Sequence, residues 1–143
     1  MNREKLIKDL KREEGVVLHA YNDHLGFTTI GVGRLIDKRR GGGISISEAE
    51  YLLGNDIYLA ERELDVNLIF YKRLDETRQR ALCNMCFQLG IGGLLKFRKM
   101  LVAIAAEDWP EAYNQALDSV WATQTPARAM RVASMLLKGD DYV

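Results

Sequence analysis

Hydrophobic and polar positions follow two different spacings in the first quarter of the chain. Apolar residues first recur at helical intervals among charges, which predicts a helix over residues 2–14 that ends at Gly15. From Val16 to Leu35, β-branched and aromatic residues alternate with the turn sequence NDHLG and two further glycines. This second pattern predicts short antiparallel strands. The apolar positions of the first helix are Leu6, Ile7 and Leu10.

The rest of the chain carries one basic glycine-rich stretch and then helical patterns. The stretch DKRRGGG, residues 37–43, predicts a flexible loop. Ser47, followed three residues later by Glu50, predicts a capping box that opens a helix ending near Leu64. The signals of later helices are a cap at Asp75, a stop at Gly90, an opening at Trp109-Pro110, a Thr125 cap with Pro126, and a stop at Gly139.

These patterns predict an α+β fold, predominantly helical and divided into two lobes. The N-terminal lobe, about residues 12–46, holds a small antiparallel sheet, and a connecting helix, about 47–64, follows it. The all-helical C-terminal lobe, about 65–143, is expected to be joined by the first helix, 2–14. A length of 143 residues and a hydrophobic content of 48% suit a single domain, 1–143. A cleft between two lobes is a usual place for a ligand.

The charge balance disfavours two classes of partner. Lys and Arg number 20 and so do Asp and Glu, so no net field draws nucleic acid or an anionic membrane. A nucleic-acid binder would have only the short basic loop 37–43 for its contacts. The charged N-terminus does not resemble a signal peptide, and about 18 apolar residues never run together. We expect a chain made in the cytosol without stable membrane association.

Cys83 and Cys86 form a CxxC pair, which raises redox and zinc sites as alternatives to packed thiols. The pair lies inside the apolar helical run RALCNMCFQLG, whereas a thioredoxin-type pair opens a helix after a strand. A zinc site would need two more ligands, and the two histidines, His19 and His24, are remote in sequence. We therefore predict packed core thiols and no metal.

Two carboxylates with different surroundings flank the first predicted strand. Glu14 lies at a helix end and Asp23 lies in a polar turn. Glycoside hydrolysis uses two such groups, one that donates a proton to the leaving oxygen and one that acts, ionised, on the other face of the sugar. The pattern alone leaves ordinary helix-end and turn carboxylates as the alternative, because the chain holds 20 acidic residues.

Six motifs follow one another along nearly the whole chain: EEG, AYND, GFTTIGVG, RALCNMCFQLG, DWPEAYNQAL and WATQTPARAMRV. In this order they resemble the phage-type lysozymes, the muramidase endolysins of the T-even phage lysozyme family. The resemblance implies a lysozyme-like fold and cofactor-free, inverting hydrolysis of the β-1,4 bond between N-acetylmuramic acid and N-acetylglucosamine in peptidoglycan. It also implies a bacteriolytic monomer of bacteriophage origin that lyses the host. Without a signal sequence, such an enzyme is expected to reach the periplasm through a separate membrane-permeabilising partner.

The same resemblance assigns roles by position. Glu14 matches the general acid, Asp23 the second catalytic carboxylate, and Thr29 a hydroxyl that helps to hold the attacking water. A strand residue chosen for β propensity is the alternative for Thr29, and core packing is the alternative for Phe87. The positions that match glycan-contacting or cleft-closing residues are Leu35, Phe87, Gln88 and Gln115.

Two arginines match residues that clasp the lobes in the family. Arg128 corresponds to the arginine that pairs with the catalytic acid, here Glu14, and Arg131 to the one that pairs with the preceding acid, here Glu13. The resemblance therefore implies ion pairs that link the two ends of the chain.

The chain departs from the family pattern at three residues and in one segment. Arg34 replaces a histidine, and Asp56 stands where the carboxylate partner of that histidine lies, so we predict an Arg34–Asp56 pair at the lobe junction. Gln115 replaces an Asn and Met100 a Ser, which changes two expected sugar contacts. The segment containing residues 37–43 is shorter than in the family, which predicts a lower wall on one side of the cleft.

Two other functions compete with hydrolysis. A lytic transglycosylase cleaves the same bond without water and needs only the acid, so the presence of Asp23 and Thr29 argues against it. A non-catalytic glycan-binding module would not need Glu14 or Asp23, and both are present.

Overall fold

The chain was analysed as a computed structural model that describes residues 1–141. Over these residues it contains seven α-helices, three β-strands and one 3₁₀ turn, which confirms the predicted helical α+β class. It divides into two compact units, Met1–Tyr51 and a second that begins at Leu52. The elements are α1 (Arg3–Glu14), β1 (Val17–Asn22), β2 (Thr28–Gly31), β3 (Arg34–Leu35), α2 (Ile46–Asn67), the 3₁₀ turn (Tyr71–Arg73), α3 (Glu76–Leu95), α4 (Arg98–Ala105), α5 (Trp109–Leu117), α6 (Val120–Gln124) and α7 (Pro126–Lys138).

Helix α1 has the predicted end and a cap that holds its start. The Asn2 side chain accepts a hydrogen bond from the Lys5 N–H at 2.9 Å. Gly15 has a φ of 76°, and its N–H donates to the Lys11 carbonyl. Because a positive φ suits glycine, the chain can leave the helix directly after Glu14.

The three strands form the predicted antiparallel sheet in the order β1-β2-β3. Thr29 is the central position, since it lies opposite Tyr21 on β1 and opposite Leu35 on β3. The β1-β2 register shifts between Val17 and Tyr21. The turn after β1 closes when the Asp23 N–H donates to the Phe27 carbonyl at 2.9 Å. The sheet thus fixes the chain on both sides of Asp23.

The predicted capping box of α2 was wrong by two residues. The Ser45 hydroxyl accepts from the Glu48 N–H at 3.1 Å, and the Glu48 carboxylate accepts from the Ser45 N–H at 3.2 Å. The sequence SISEAE contains two overlapping Ser-x-x-Glu spacings, at 45–48 and at 47–50, and local pattern cannot separate them. The helix also ends later than predicted, at Asn67.

The main core lies in the second unit and is built by helices α3 to α7 together with the end of α2 and the 3₁₀ turn. Asp75 caps α3 as predicted, because its side chain accepts from the Arg78 N–H at 3.0 Å. The first helical segment of α3 stops at Gly90 as predicted, where φ is 71° and ψ is 164°, and a second segment follows directly and runs to Leu95. The largest fully buried side chains are Leu64, Leu82, Met85, Leu94, Met100, Ile104, Val132 and Leu136.

The last helix begins and ends where the sequence predicts. Pro126 occupies its first position, and Gly139 ends it in the left-handed region with its N–H on the Met135 carbonyl. Thr125 occupies the predicted N-cap position, but its side chain does not cap the helix, because the hydroxyl donates to the Trp121 carbonyl of the preceding helix. Proline at the first position lacks an N–H in any case, so less capping is needed there.

Both cysteines are free thiols on α3. Cys86 is buried and Cys83 is partly buried. Burial raises the pKa of both thiols, and the charges of Glu61 near Cys83 and Glu63 near Cys86 act in the same direction. Because the thiolate is the reactive form, these are poor nucleophiles, as predicted for packed thiols.

Across residues 1–141, the helices are all too short or too polar to cross a membrane. The predicted lobe boundaries near residues 46 and 65, and the placement of α1 with the C-terminal lobe, stay predictions.

Candidate active site

Glu14 is the last residue of α1, and its carboxylate lies against the β2-β3 turn. A Cβ atom added to Gly33 in this turn would come within 2.8 Å of Glu14 Oε2. Gly33 also has a φ of 68°, a conformation that favours glycine. The turn therefore needs glycine at this position for two reasons, its own backbone and the space taken by Glu14.

With Glu14 as the expected general acid, this close approach predicts that Gly33→Ala lowers activity on bacterial cell walls about tenfold or more, because the new methyl group displaces the Glu14 carboxylate and a misplaced catalytic group slows the reaction. Gly31→Ala is the matched control, since Gly31 has a φ of 71° but a Cβ there meets nothing within 4 Å. Both variants should lose similar stability, of about 1–2 kcal/mol from backbone strain. Equal activities in a turbidity assay would show that Gly33 does not position Glu14.

Asp23 is half-buried in the turn after β1. Its Oδ1 accepts two backbone hydrogen bonds at 2.9 Å each, from Leu25 N–H and Phe27 N–H. Among the described residues, Oδ2 has no such donor, so it remains available to a ligand. The turn thus holds the carboxylate by one oxygen and presents the other.

Thr29 is buried, with 4% of its surface exposed, and its hydroxyl donates to the Phe27 carbonyl at 3.0 Å. A hydroxyl has one hydrogen and two lone pairs. Because the hydrogen is used by Phe27, Thr29 can only accept from a further partner such as water. Holding water and serving only as a β-branched strand residue both stay open as predictions for Thr29.

The peptide groups of Phe27 join these two side chains. The Phe27 N–H holds the Asp23 carboxylate, while its carbonyl accepts from both the Asp23 N–H and the Thr29 hydroxyl. Phe27 therefore orients both Asp23, the candidate general base, and Thr29, the candidate acceptor of a hydrogen bond from water. Phe27 could not be identified from the sequence, because its backbone N–H and carbonyl make these hydrogen bonds. Other residue types could make the same backbone hydrogen bonds.

The expected glycan contacts are spread over both units. Leu35 is half-buried on β3 of the first unit. In the second unit, Gln88 Oε1 accepts from Trp121 Nε1 at 2.9 Å, and Gln115 Nε2 donates to Glu111 at 2.7 Å. Each amide keeps further donors or acceptors for a ligand.

Phe87 has 48% of its surface exposed and lines a groove of about 510 Å³ in the second unit. The alternative prediction for Phe87, burial in the core, is therefore wrong. Met100, by contrast, is 1% exposed and belongs to the core of the same unit, so it offers no hydrogen bond to a sugar.

The two candidate clasping arginines lie on α7. Arg128 donates through Nε to Asn84 Oδ1 at 2.8 Å and through Nη2 to the Asn84 carbonyl at 3.1 Å. Arg131 is exposed and lines a cavity of about 500 Å³ with Arg80 and Arg128. Asn84 was missed from the sequence, although its place between two cysteines in an apolar run marks it as a polar exception.

Glu13 accepts a hydrogen bond from Arg12 Nε at 3.0 Å. Its proposed pairing with Arg131, and that of Glu14 with Arg128, stay predictions.

Arg34 pairs with Glu48 inside the first unit. Its predicted partner Asp56 lies in the second unit, so the Arg34–Asp56 pair stays a prediction. Arg34 Nη1 lies 3.0 and 2.8 Å from the two Glu48 carboxylate oxygens and 3.3 Å from the Gly43 carbonyl. Glu48 also belongs to the capping box at the start of α2. The pair therefore connects β3 to the first turn of that helix.

The hydrogen bond from Arg34, with those from Ser45, lowers the pKa of the Glu48 carboxyl below 4.5. A lowered folded pKa contributes stability above the unfolded pKa, and this stability is lost as pH falls through the folded value. Arg34→Met and Glu48→Gln should therefore lower the melting temperature near neutral pH, and the difference from the parent should shrink as acid protonates Glu48 in the folded protein.

Thermal melts of both single variants and the double variant measure this coupling. Losses that simply add near neutral pH would contradict an interaction between Arg34 and Glu48.

A family profile and two relatives of similar length all point to the same family of lysozymes. The sequence profile described as Phage lysozyme matches residues 11–133. The chain is 34% identical over 160 residues to "Probable T4-type lysozyme 1" of Dictyostelium discoideum, with 93% of this chain and 94% of the relative covered. "Probable T4-type lysozyme 2" of the same organism is also 34% identical, with the same coverage.

A third relative is much longer. The chain is 35% identical over 156 residues to "Pre-baseplate central spike protein Gp5" of Enterobacteria phage T4, and this match covers 92% of the chain. The chain spans only 27% of that protein's length. The profile match over most of the chain, together with two relatives covered almost end to end, identifies the chain as a member of the phage lysozyme family, whose lysozyme-type activity is peptidoglycan hydrolysis.

Proposed function

We propose that the chain is an inverting muramidase that hydrolyses the β-1,4 bond between N-acetylmuramic acid and N-acetylglucosamine in peptidoglycan. The observation that carries the proposal is the shared peptide of Phe27, which orients Asp23 and Thr29 together. Two fixed hydrogen-bonding groups of this kind suit the activation of a single water molecule. Glu14, at the end of α1, supplies the second carboxyl group that glycoside hydrolysis requires.

The proposed reaction uses only side chains and water. Glu14 donates its proton to the glycosidic oxygen as the bond to the sugar C1 breaks. A water molecule donates one hydrogen bond to the Thr29 hydroxyl, whose own hydrogen points to Phe27. Asp23 takes a proton from this water as it attacks C1 from the opposite face. The new sugar end is then reducing and has inverted configuration.

The proposed glycan contacts are Leu35, Phe87, Gln88 and Gln115. Phe87 offers an exposed aromatic surface to a sugar ring, and the two glutamine amides are already oriented by Trp121 and Glu111. Arg128 and Arg131 are proposed to clasp the lobes by pairing with Glu14 and Glu13. In a cell, the proposed enzyme acts as a monomer on the wall in the periplasm, after synthesis in the host cytoplasm and passage through a membrane opened by a separate protein.

Product analysis tests the reaction. Purified cell walls are digested, and the fragments are examined by mass spectrometry for reducing ends and by NMR for the configuration of the new C1. Reducing, inverted ends support the proposal. Anhydro ends would identify a lytic transglycosylase, and unchanged walls that still bind the protein would identify a glycan-binding module.

A further inference from the structure

The loop at residues 37–43 is held by hydrogen bonds, whereas its composition predicted a flexible basic loop. The Asp37 carboxylate accepts from the Arg39 N–H at 2.9 Å and from Arg39 Nε at 3.0 and 2.8 Å. The Arg39 carbonyl in turn accepts from the Gly42 N–H, and the Gly43 N–H donates to the Leu35 carbonyl. Asp37 therefore fixes both the backbone and the side chain of Arg39.

The fixed Arg39 side chain lies on an aromatic ring. Its guanidinium carbon is 3.1 Å from the centroid of the Phe27 ring, in the arrangement of a cation–π interaction. Arginine suits this place because its planar group can stack on a ring while its Nε bonds a carboxylate in the same plane. Arg39 is 41% exposed and Asp37 24% exposed, so the group lies at the surface and not in the core.

Phe27 is also the residue whose peptide groups hold Asp23 and Thr29. Because Arg39 stacks on the Phe27 ring, it restrains the Phe27 backbone as well. That backbone makes three hydrogen bonds to Asp23 and Thr29, the two candidate catalytic residues. The order of contacts runs from Asp37 to Arg39, to the Phe27 ring, and then to the peptide that orients the proposed water site.

We infer that Arg39 is a positioning residue for the hydrolytic reaction: clamped by Asp37, it holds Phe27 so that Asp23 and Thr29 keep the attacking water in line. The inference rests on the proposed function, since it needs Asp23 and Thr29 to act on water. Arg39 acts through Phe27, because its side chain contacts Asp37 and the Phe27 ring and makes no hydrogen bond to Asp23 or Thr29. Its loss should therefore lower kcat and leave KM close to the parent value, because the glycan contacts are elsewhere.

The test uses the full chain and a soluble peptidoglycan oligosaccharide. Arg39→Met keeps the length and apolar stem of the side chain but removes the cation and the Nε donor, and we expect kcat to fall about tenfold. Arg40→Met is the matched control, because it removes the same charge from the same loop and leaves the clamp intact. Arg39→Lys keeps a cation but not the planar bond to Asp37, so it should recover only part of kcat.

A second variant, Phe27→Leu, keeps the backbone N–H and carbonyl but removes the ring. Its kcat should fall like that of Arg39→Met, and the double variant should be no worse than either single one. All four proteins of the cycle must melt cooperatively. If Phe27→Leu does not, the comparison of Arg39→Met with Arg40→Met still tests the inference.

Three outcomes overturn the inference alone while Asp23→Asn is inactive and the products are those of a muramidase. They are a kcat of Arg39→Met equal to that of Arg40→Met, a change confined to KM, and fully additive losses in the cycle. Full activity of Asp23→Asn would instead overturn the proposed function, and the inference with it.

Discussion

Glu14→Gln is expected to lower lytic activity at least about a hundredfold without changing the fold, which is the usual worth of a general acid. Glutamine has the size and shape of glutamate but cannot donate the required proton to the leaving oxygen. Glu14 is exposed at the end of α1, so the substitution leaves no buried group without a partner. Turbidity loss of purified cell walls measures the activity, and circular dichroism with thermal melting measures the fold.

Glu4→Gln is the matched control, because it makes the same change in the first turn of the same helix. It should retain the activity of the parent chain. Normal lysis by a folded Glu14→Gln protein would show that another group donates the proton.

Asp23→Asn is expected to reduce hydrolysis by a similar factor, since asparagine cannot take a proton from water. The Asn Oδ1 can still accept from the Leu25 and Phe27 N–H groups, so the turn should keep its geometry. The loss is therefore expected in kcat, with little change in thermal stability. Asp9→Asn, which changes an exposed carboxylate on α1, should behave like the parent in both measurements.

The configuration of the product separates two roles for Asp23. A base that activates water gives inverted products, whereas a carboxylate that attacks carbon directly gives retained configuration through a covalent intermediate. Retention in the parent enzyme would mean that Asp23 is a nucleophile and that Thr29 does not hold the attacking water.

Local sequence determined the parts of the fold that depend on neighbouring residues. The stops at Gly15 and Gly139 and the cap at Asp75 were predictable because each uses a hydrogen bond within about four residues of the chain. The sheet was predictable for a similar reason, since a turn sequence between two β-rich runs favours pairing between neighbours.

The candidate catalytic residues were not predictable from local pattern alone. Glu14 and Asp23 are two of 20 acidic residues, and it was the order of six motifs that singled them out. Thr29 on its own reads as an ordinary strand residue.

Tertiary structure decided the contacts between residues that are distant in sequence. Ser45 and not Ser47 caps α2, although both serines have the same spacing to a glutamate. The Glu48 of this capping box also accepts a hydrogen bond from Arg34, which is distant in sequence. Tertiary structure also placed Glu14 against Gly33 and Arg39 over Phe27. Side-chain periodicity reports which face of a helix or strand is apolar, but it carries no information on which distant polar group will come within hydrogen-bonding distance. That choice follows from the packing of whole elements, because a hydrogen bond or ion pair forms only where the backbone has already brought two groups to within about 3 Å.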